Sequence, residues 1–201
     1  LEAGHGGILL MSHLGNWEVG ARLLRQNMPH LRLMLYVGRR AKDQIEHLQK
    51  QDLMADGIRV VTVDQQGASA FDLVEGTTHL RSGGFVSMAG DMIWRLEQRK
   101  VRVRFLDHWV SLPEAPFILS LVARVPLYVF FVSSRGPQTY HFSVSEPIRV
   151  AAEDRAQRRE AVFQAAQAYA DRLAVHLGES PYEWYHFKPF LDAPASSPKT
   201  L

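Results

Sequence analysis

The 201-residue chain contains no cysteine. That absence removes disulfides, a thiolate nucleophile and cysteine-ligated metal centres, and it suits a reducing compartment. No apolar run approaches the roughly 18–20 residues that a membrane-spanning helix needs. Charge of one sign is lacking too: 23 basic and 21 acidic residues leave a net +2, far from the basic excess of a nucleic-acid binder. Neither a Gly-x-Gly-x-x-Gly turn nor a Walker loop occurs, Gly67 is too isolated to cradle a phosphate, and no motif asks for a cofactor or a metal. Lysine is scarce, at five of the 23 basic residues. The arginine that replaces it is the better bidentate partner for phosphate and carboxylate, which fits an anionic substrate or surface; a GC-rich coding bias would leave the same trace.

What remains is an ordinary globular balance, 46% hydrophobic and 22% charged, in a length that suits one domain. The apolar run Ile8 to Met11 predicts a buried strand, and Asn16 predicts the cap of a helix from Trp17 to about Arg25. Further strand and helix units follow: a strand over Arg32 to Val37, a helix over Ala41 to Ala55, a strand over Ile58 to Val63, and a helix over Ala70 to Arg81. The stretch from Gly83 then reads as a strand closing in Gly90-Asp91. Repeated strand-helix units argue for a parallel α/β sheet with right-handed crossovers. Val101 to Leu106 alternates as a half-buried or edge strand, with Arg102 and Arg104 on one face. An apolar helix over Phe117 to Ala123 and a strand over Pro126 to Val132 come next, and the return over Tyr140 to Val144 makes the sheet mixed. A long helix over Glu153 to Leu177, an aromatic cluster from Pro181 to Phe190 and a disordered tail from Asp192 complete the expected single domain, 1–191. The fold class is thus α/β, a mixed and mostly parallel central sheet flanked by helices.

Chemistry concentrates at the strand-to-helix junctions. His13 and Glu18 flank the first of them, where open α/β sheets place their ligands, and a carboxylate five residues on can orient an imidazole that acts as a general base. The same spacing also arises from an acidic residue in the first turn of a capped helix. Arg39 and Arg40 follow the second strand and are candidates to clamp a phosphate, or else a solvated pair. Asp91, closing its strand on the same face as His13, is a candidate to bind substrate or to brace His13, or else a turn residue.

The whole phrase Ser12-His13-Leu14-Gly15-Asn16-Trp17-Glu18-Val19-Gly20-Ala21 resembles the His-x4-Glu block of bacterial lipid A late acyltransferases, a branch of the lysophospholipid acyltransferase superfamily. The Gly90-Asp91 strand end is similar to that family's third block, although Met92-Ile93-Trp94-Arg95 departs from its Arg-Pro and Gln-Asp continuations, and Pro181 to Trp184 is similar to its Pro-x-x-Trp closure. The resemblance implies a glycerol-phosphate-acyltransferase-like fold and an acyltransferase in which His13 deprotonates an acceptor hydroxyl and Glu18 holds the histidine. Arg39, Arg40 and Asp91 would then serve substrate binding, and neither cofactor nor metal is expected. Its donor would be the thioester of an acyl carrier protein and its acceptor a lipid A-like or other glycolipid. The enzyme would work at a membrane surface, the cytoplasmic face of the inner membrane, and a membrane-anchoring region would precede Leu1. The alternatives are an acyl-CoA-dependent phospholipid or glycolipid acyltransferase and a non-catalytic lipid-binding domain. For the oxyanion, backbone amides near Gly15 and an arginine are both open.

Overall fold

A computed structural model describes residues 6–38, 53–54, 58–63, 70–94, 97–137 and 139–192. The chain begins with β1 (Gly7–Met11), buried along its whole length, and α1 (Trp17–Asn27). The Asn16 side chain accepts the Val19 N–H at 3.0 Å, so the cap sets where α1 starts. Then come β2 (Leu33–Gly38), β3 (Arg59–Val63), α2 (Ala70–Arg81) and β4 (Phe85–Ala89). After them lie β5 (Lys100–Phe105), β6 (His108–Pro113), α3 (Ala115–Ala123), β7 (Leu127–Gly136), β8 (Thr139–Val144) and α4 (Arg158–Glu179). Most of the helix expected over 41–55, both Arg39 and Arg40, and the tail from residue 193 lie outside the described residues.

Six strands form one sheet in the order β3-β2-β4-β1-β7-β8, parallel except for the antiparallel β7–β8 pair. The expected mixed, mostly parallel sheet flanked by helices is the fold observed. Alternation along β1 feeds two apolar layers: Ile8 and Leu10 pack with α3 and α4, whereas Leu9 packs with Ala21 of α1, Leu35 and Tyr128. On α4 the apolar stripe Val162, Ala165, Ala166, Tyr169, Ala170 and Leu173 is buried. Ala161, Phe163 and Ala168 are half-buried and pack against it.

The structure completes two of these expectations and corrects the start of the long helix. The alternating strand at 101–106 is half-buried, as expected, and its partner is β6: the two form a separate antiparallel hairpin, sending Val103, Phe105, Val110 and Leu112 inward while Arg102 and Arg104 are exposed. Its turn is made by Leu106 and Asp107 with φ of 47° and 63°, a left-handed pair that glycine usually announces and here does not. The long helix starts at Arg158 rather than near Glu153, because side chains there bond locally: Gln157 N–H to the Asp154 carboxylate, and Glu153 N–H to the Gln157 side chain. The apolar helix α3 is core, with Phe117, Leu119, Ser120 and Ala123 buried, and it does not line the cavity beside His13.

Candidate active site

Register explains how two residues 78 positions apart meet. β1 and β4 run parallel with Met11 opposite Ala89, and Gly90 N–H donates to the Met11 carbonyl at 2.8 Å. His13 and Asp91 each lie two residues beyond that last pair, at the carboxyl edge of the sheet. Here the chain has crossed to one side after β1 and to the other after β4, the place where open α/β sheets form a crevice. The Asp91 carboxylate has no exposure. Its Oδ1 is 2.9 Å from His13 Nδ1, and its Oδ2 accepts the His13 backbone N–H at 2.7 Å and the Trp184 indole N–H at 3.2 Å. A carboxylate on Nδ1 favours the tautomer protonated there, which leaves Nε2 as the basic nitrogen.

His13, Glu18, Trp17, Tyr36, Trp94 and Lys188 are among the residues that line a cavity of about 300 Å³, together with Gly38 at the end of β2. Its walls are largely apolar with a few polar groups, the usual composition of a small-ligand site. Glu18 projects from the first turn of α1 into the same cavity. The structure therefore brings His13, Glu18 and Asp91 to one place, and the carboxylate within hydrogen-bonding distance of His13 Nδ1 is that of Asp91. Met92 and Trp94, which depart from the expected continuation after Asp91, both face the cavity. A Cβ on Gly38 would stand 2.6 Å from the Trp94 ring, so glycine is required for that wall to close.

The loop from Ser12 to Asn16 is held from every side. Leu14 N–H donates to the Ser12 hydroxyl at 3.2 Å, Gly15 N–H to the Glu183 carbonyl at 2.9 Å and Asn16 N–H to the Val132 carbonyl at 2.8 Å. With His13 N–H on Asp91, the four amides nearest Gly15 are all engaged, so they are not waiting for an oxyanion. Gly15 has φ of 79°, and a Cβ there would run into the Val132 carbonyl oxygen; only glycine makes this turn at such an approach.

Tyr169 of α4 lies fully buried beneath the loop, its hydroxyl donating to the Met11 carbonyl at 3.3 Å. Burial pushes its phenol well above the usual value of 10.0, and the Asp91 charge pushes it the same way, against a hydrogen bond from Ser12 that favours the phenolate. Because the folded protein keeps this proton longer than the unfolded chain, stability is intact below pH 10 and declines as pH rises from about 10 toward the folded-state value. The Tyr169→Phe variant is expected to lose that term. Wild type should weaken relative to it by roughly tenfold in the folding equilibrium per pH unit above about 10, read from urea midpoints of both proteins along a pH series. Parallel curves would contradict the assignment.

The aromatic cluster after α4, which resembles a closing segment in sequence, is built into the site. A 3-10 turn, Pro181–Glu183, is followed by Trp184, which bridges Leu14, and Tyr185 N–H donates to the His13 carbonyl at 2.9 Å. His186 Nε2 lies 3.1 Å from the Asp91 carbonyl. The contact of Trp184 with Asp91 could not be found from spacing; the only trace was the tryptophan itself, a donor-bearing ring in a segment otherwise suited to covering a core. Among the described residues, no group of three or more histidine, aspartate or glutamate side chains is placed to hold a metal, and no helix is long and apolar enough to cross a membrane.

A histidine braced by a buried carboxylate, at the crevice of a mostly parallel α/β sheet and open to an apolar cavity, has the geometry that a general base requires. The model of the bacterial lipid A biosynthesis acyltransferase family matches residues 1–191, and the chain belongs to that family; it is an acyltransferase. No curated protein matches the chain.

Proposed function

We propose that the protein transfers a fatty acyl chain from an acyl carrier protein thioester to a hydroxyl of a lipid A-like or other glycolipid. The observation that carries this reading is the 2.9 Å pairing of His13 Nδ1 with Asp91 Oδ1 beside the apolar cavity. His13 Nε2 takes the proton of the acceptor hydroxyl as its oxygen attacks the thioester carbonyl. Collapse of the tetrahedral intermediate breaks the C–S bond, and the imidazolium returns the proton to the departing thiolate, so no acyl-enzyme forms. Asp91 fixes the tautomer and stabilises the imidazolium; Glu18, in the same cavity, adds a second negative charge that favours it. The apolar walls suit the acyl chain. With the amides of His13 to Asn16 engaged, a cationic side chain is the better oxyanion partner, and Arg39 and Arg40, which follow the cavity-lining Gly38, remain the proposed phosphate or oxyanion ligands.

The reading places the enzyme at the cytoplasmic face of the inner membrane, where a soluble thioester meets a lipid acceptor. Exposed Tyr182, Tyr185 and Phe187, next to Lys188 at the cavity, support contact with a lipid surface. Purified protein given a radiolabelled acyl group on carrier protein or on coenzyme A, with a glycolipid acceptor, is expected to turn over the carrier-protein thioester preferentially. Equal or better use of acyl-CoA would move the assignment to the coenzyme-dependent alternative, and no transfer from either donor would leave a lipid-binding domain.

A further inference from the structure

We infer that Trp184 is a positioning residue for proton transfer: its indole N–H pins Oδ2 of Asp91 so that Oδ1 is aimed at His13. This rests on the reading of His13 as the base. Oδ2 receives two donors, the His13 backbone N–H at 2.7 Å and the Trp184 indole at 3.2 Å, while Oδ1 faces the imidazole alone. The carboxylate has no exposure, so water does not replace a lost donor, and a buried carboxylate short of a hydrogen bond reorients or takes up a proton. Trp184 is itself held in place. Its ring packs against Phe105 and Phe190 at 5.7 and 4.9 Å between centroids, its backbone bridges Leu14, and the flanking Glu183 and Tyr185 bond the Gly15 amide and the His13 carbonyl. The side chain of the same Glu183 accepts the Ser134 N–H at 2.9 Å, which ties the segment to β7. The backbone of Asp91 is clasped in turn by His186. The segment 183–186 therefore sets both the loop that carries the base and the carboxylate that orients it.

The Trp184→Phe variant keeps a ring between Phe105 and Phe190 and deletes the donor. Its kcat is expected to fall by about tenfold or more, with KM for donor and acceptor within about twofold, because the cavity walls are unchanged. The ascending limb of its pH–rate profile should move to lower pH: a carboxylate that swings off Nδ1 or takes up a proton no longer stabilises the imidazolium, so His13 gives up its proton sooner. A merely structural role would reduce the amount of active enzyme without moving that limb. Wild-type kcat and an unmoved limb in Trp184→Phe would overturn the proposal.

A second measurement does not depend on that variant folding. In wild type, the indole N–H resonance of Trp184 should be protected from exchange relative to that of the exposed Trp109, and it should shift upfield in Asp91→Asn. An indole that exchanges freely and ignores Asp91→Asn would overturn the proposal equally. Failure of the acyl-transfer reading would appear as absent wild-type turnover, which neither indole measurement touches, so the two failures are distinguishable.

Discussion

Replacing His13 with alanine is expected to lower acyl transfer by about two to four orders of magnitude while acyl-donor binding persists. Its Nε2 is the nitrogen left for substrate once Nδ1 faces Asp91, and the cavity walls that would hold the acyl chain come from other residues. Loss should therefore fall on kcat, with the donor dissociation constant within a few-fold of wild type by direct titration. Melting should change little, because the ring is partly exposed, at 21%, and the loop is held by backbone bonds that alanine keeps. A His13→Ala protein that turns over at the wild-type rate would end the general-base assignment.

The second large effect separates two carboxylates. In Asp91→Asn, the oxygen of the new amide has to stay where Oδ2 was, because the His13 backbone N–H and the Trp184 indole both donate there. Its NH2 then faces His13 Nδ1, which must accept; the ring is driven to carry its proton on Nε2 and cannot act as a base. Such a tautomer switch has cost a histidine-carboxylate pair about 10⁴ in kcat elsewhere, and a loss of about 10²–10⁴ is expected here. Glu18→Gln removes a charge from the cavity wall but leaves the Asp91 carboxylate on His13 Nδ1, so its loss should be smaller, about tenfold, and salt-sensitive. The comparison is made on kcat for both variants at one pH. If Glu18→Gln proves the more damaging and Asp91→Asn is nearly silent, the roles of the two acids exchange.

Much of this was legible in the sequence because it is local. The Ile8 to Met11 run, the Asn16 cap and the helix behind it are short-range features, and each element formed where its pattern placed it. That Asp91 shares the sheet edge with His13 followed from counting strands. Which acid meets Nδ1 did not, because it depends on the pairing of Met11 with Ala89, a register between strands far apart in the chain. Spacing drew attention to Glu18, five residues on; the cap that fixes α1 is also what assigns Glu18 to the helix and so to the cavity wall. The β5–β6 hairpin was hidden for another reason: Leu106 and Asp107 adopt left-handed backbone angles with no glycine to mark the turn. Trp184 could be read only as apolar cover, since a partner for its N–H exists solely in three dimensions.

Vectorial synthesis gives the last feature a temporal meaning. The histidine leaves the ribosome about 170 residues before the groups that accept the Gly15 amide and donate to the His13 carbonyl, which belong to Glu183 and Tyr185. A nascent protein with β1 and β4 already paired would still carry these backbone groups open to water and an Asp91 missing one donor. Transfer activity should consequently wait until residues 183–186 have emerged and docked on the loop that carries His13.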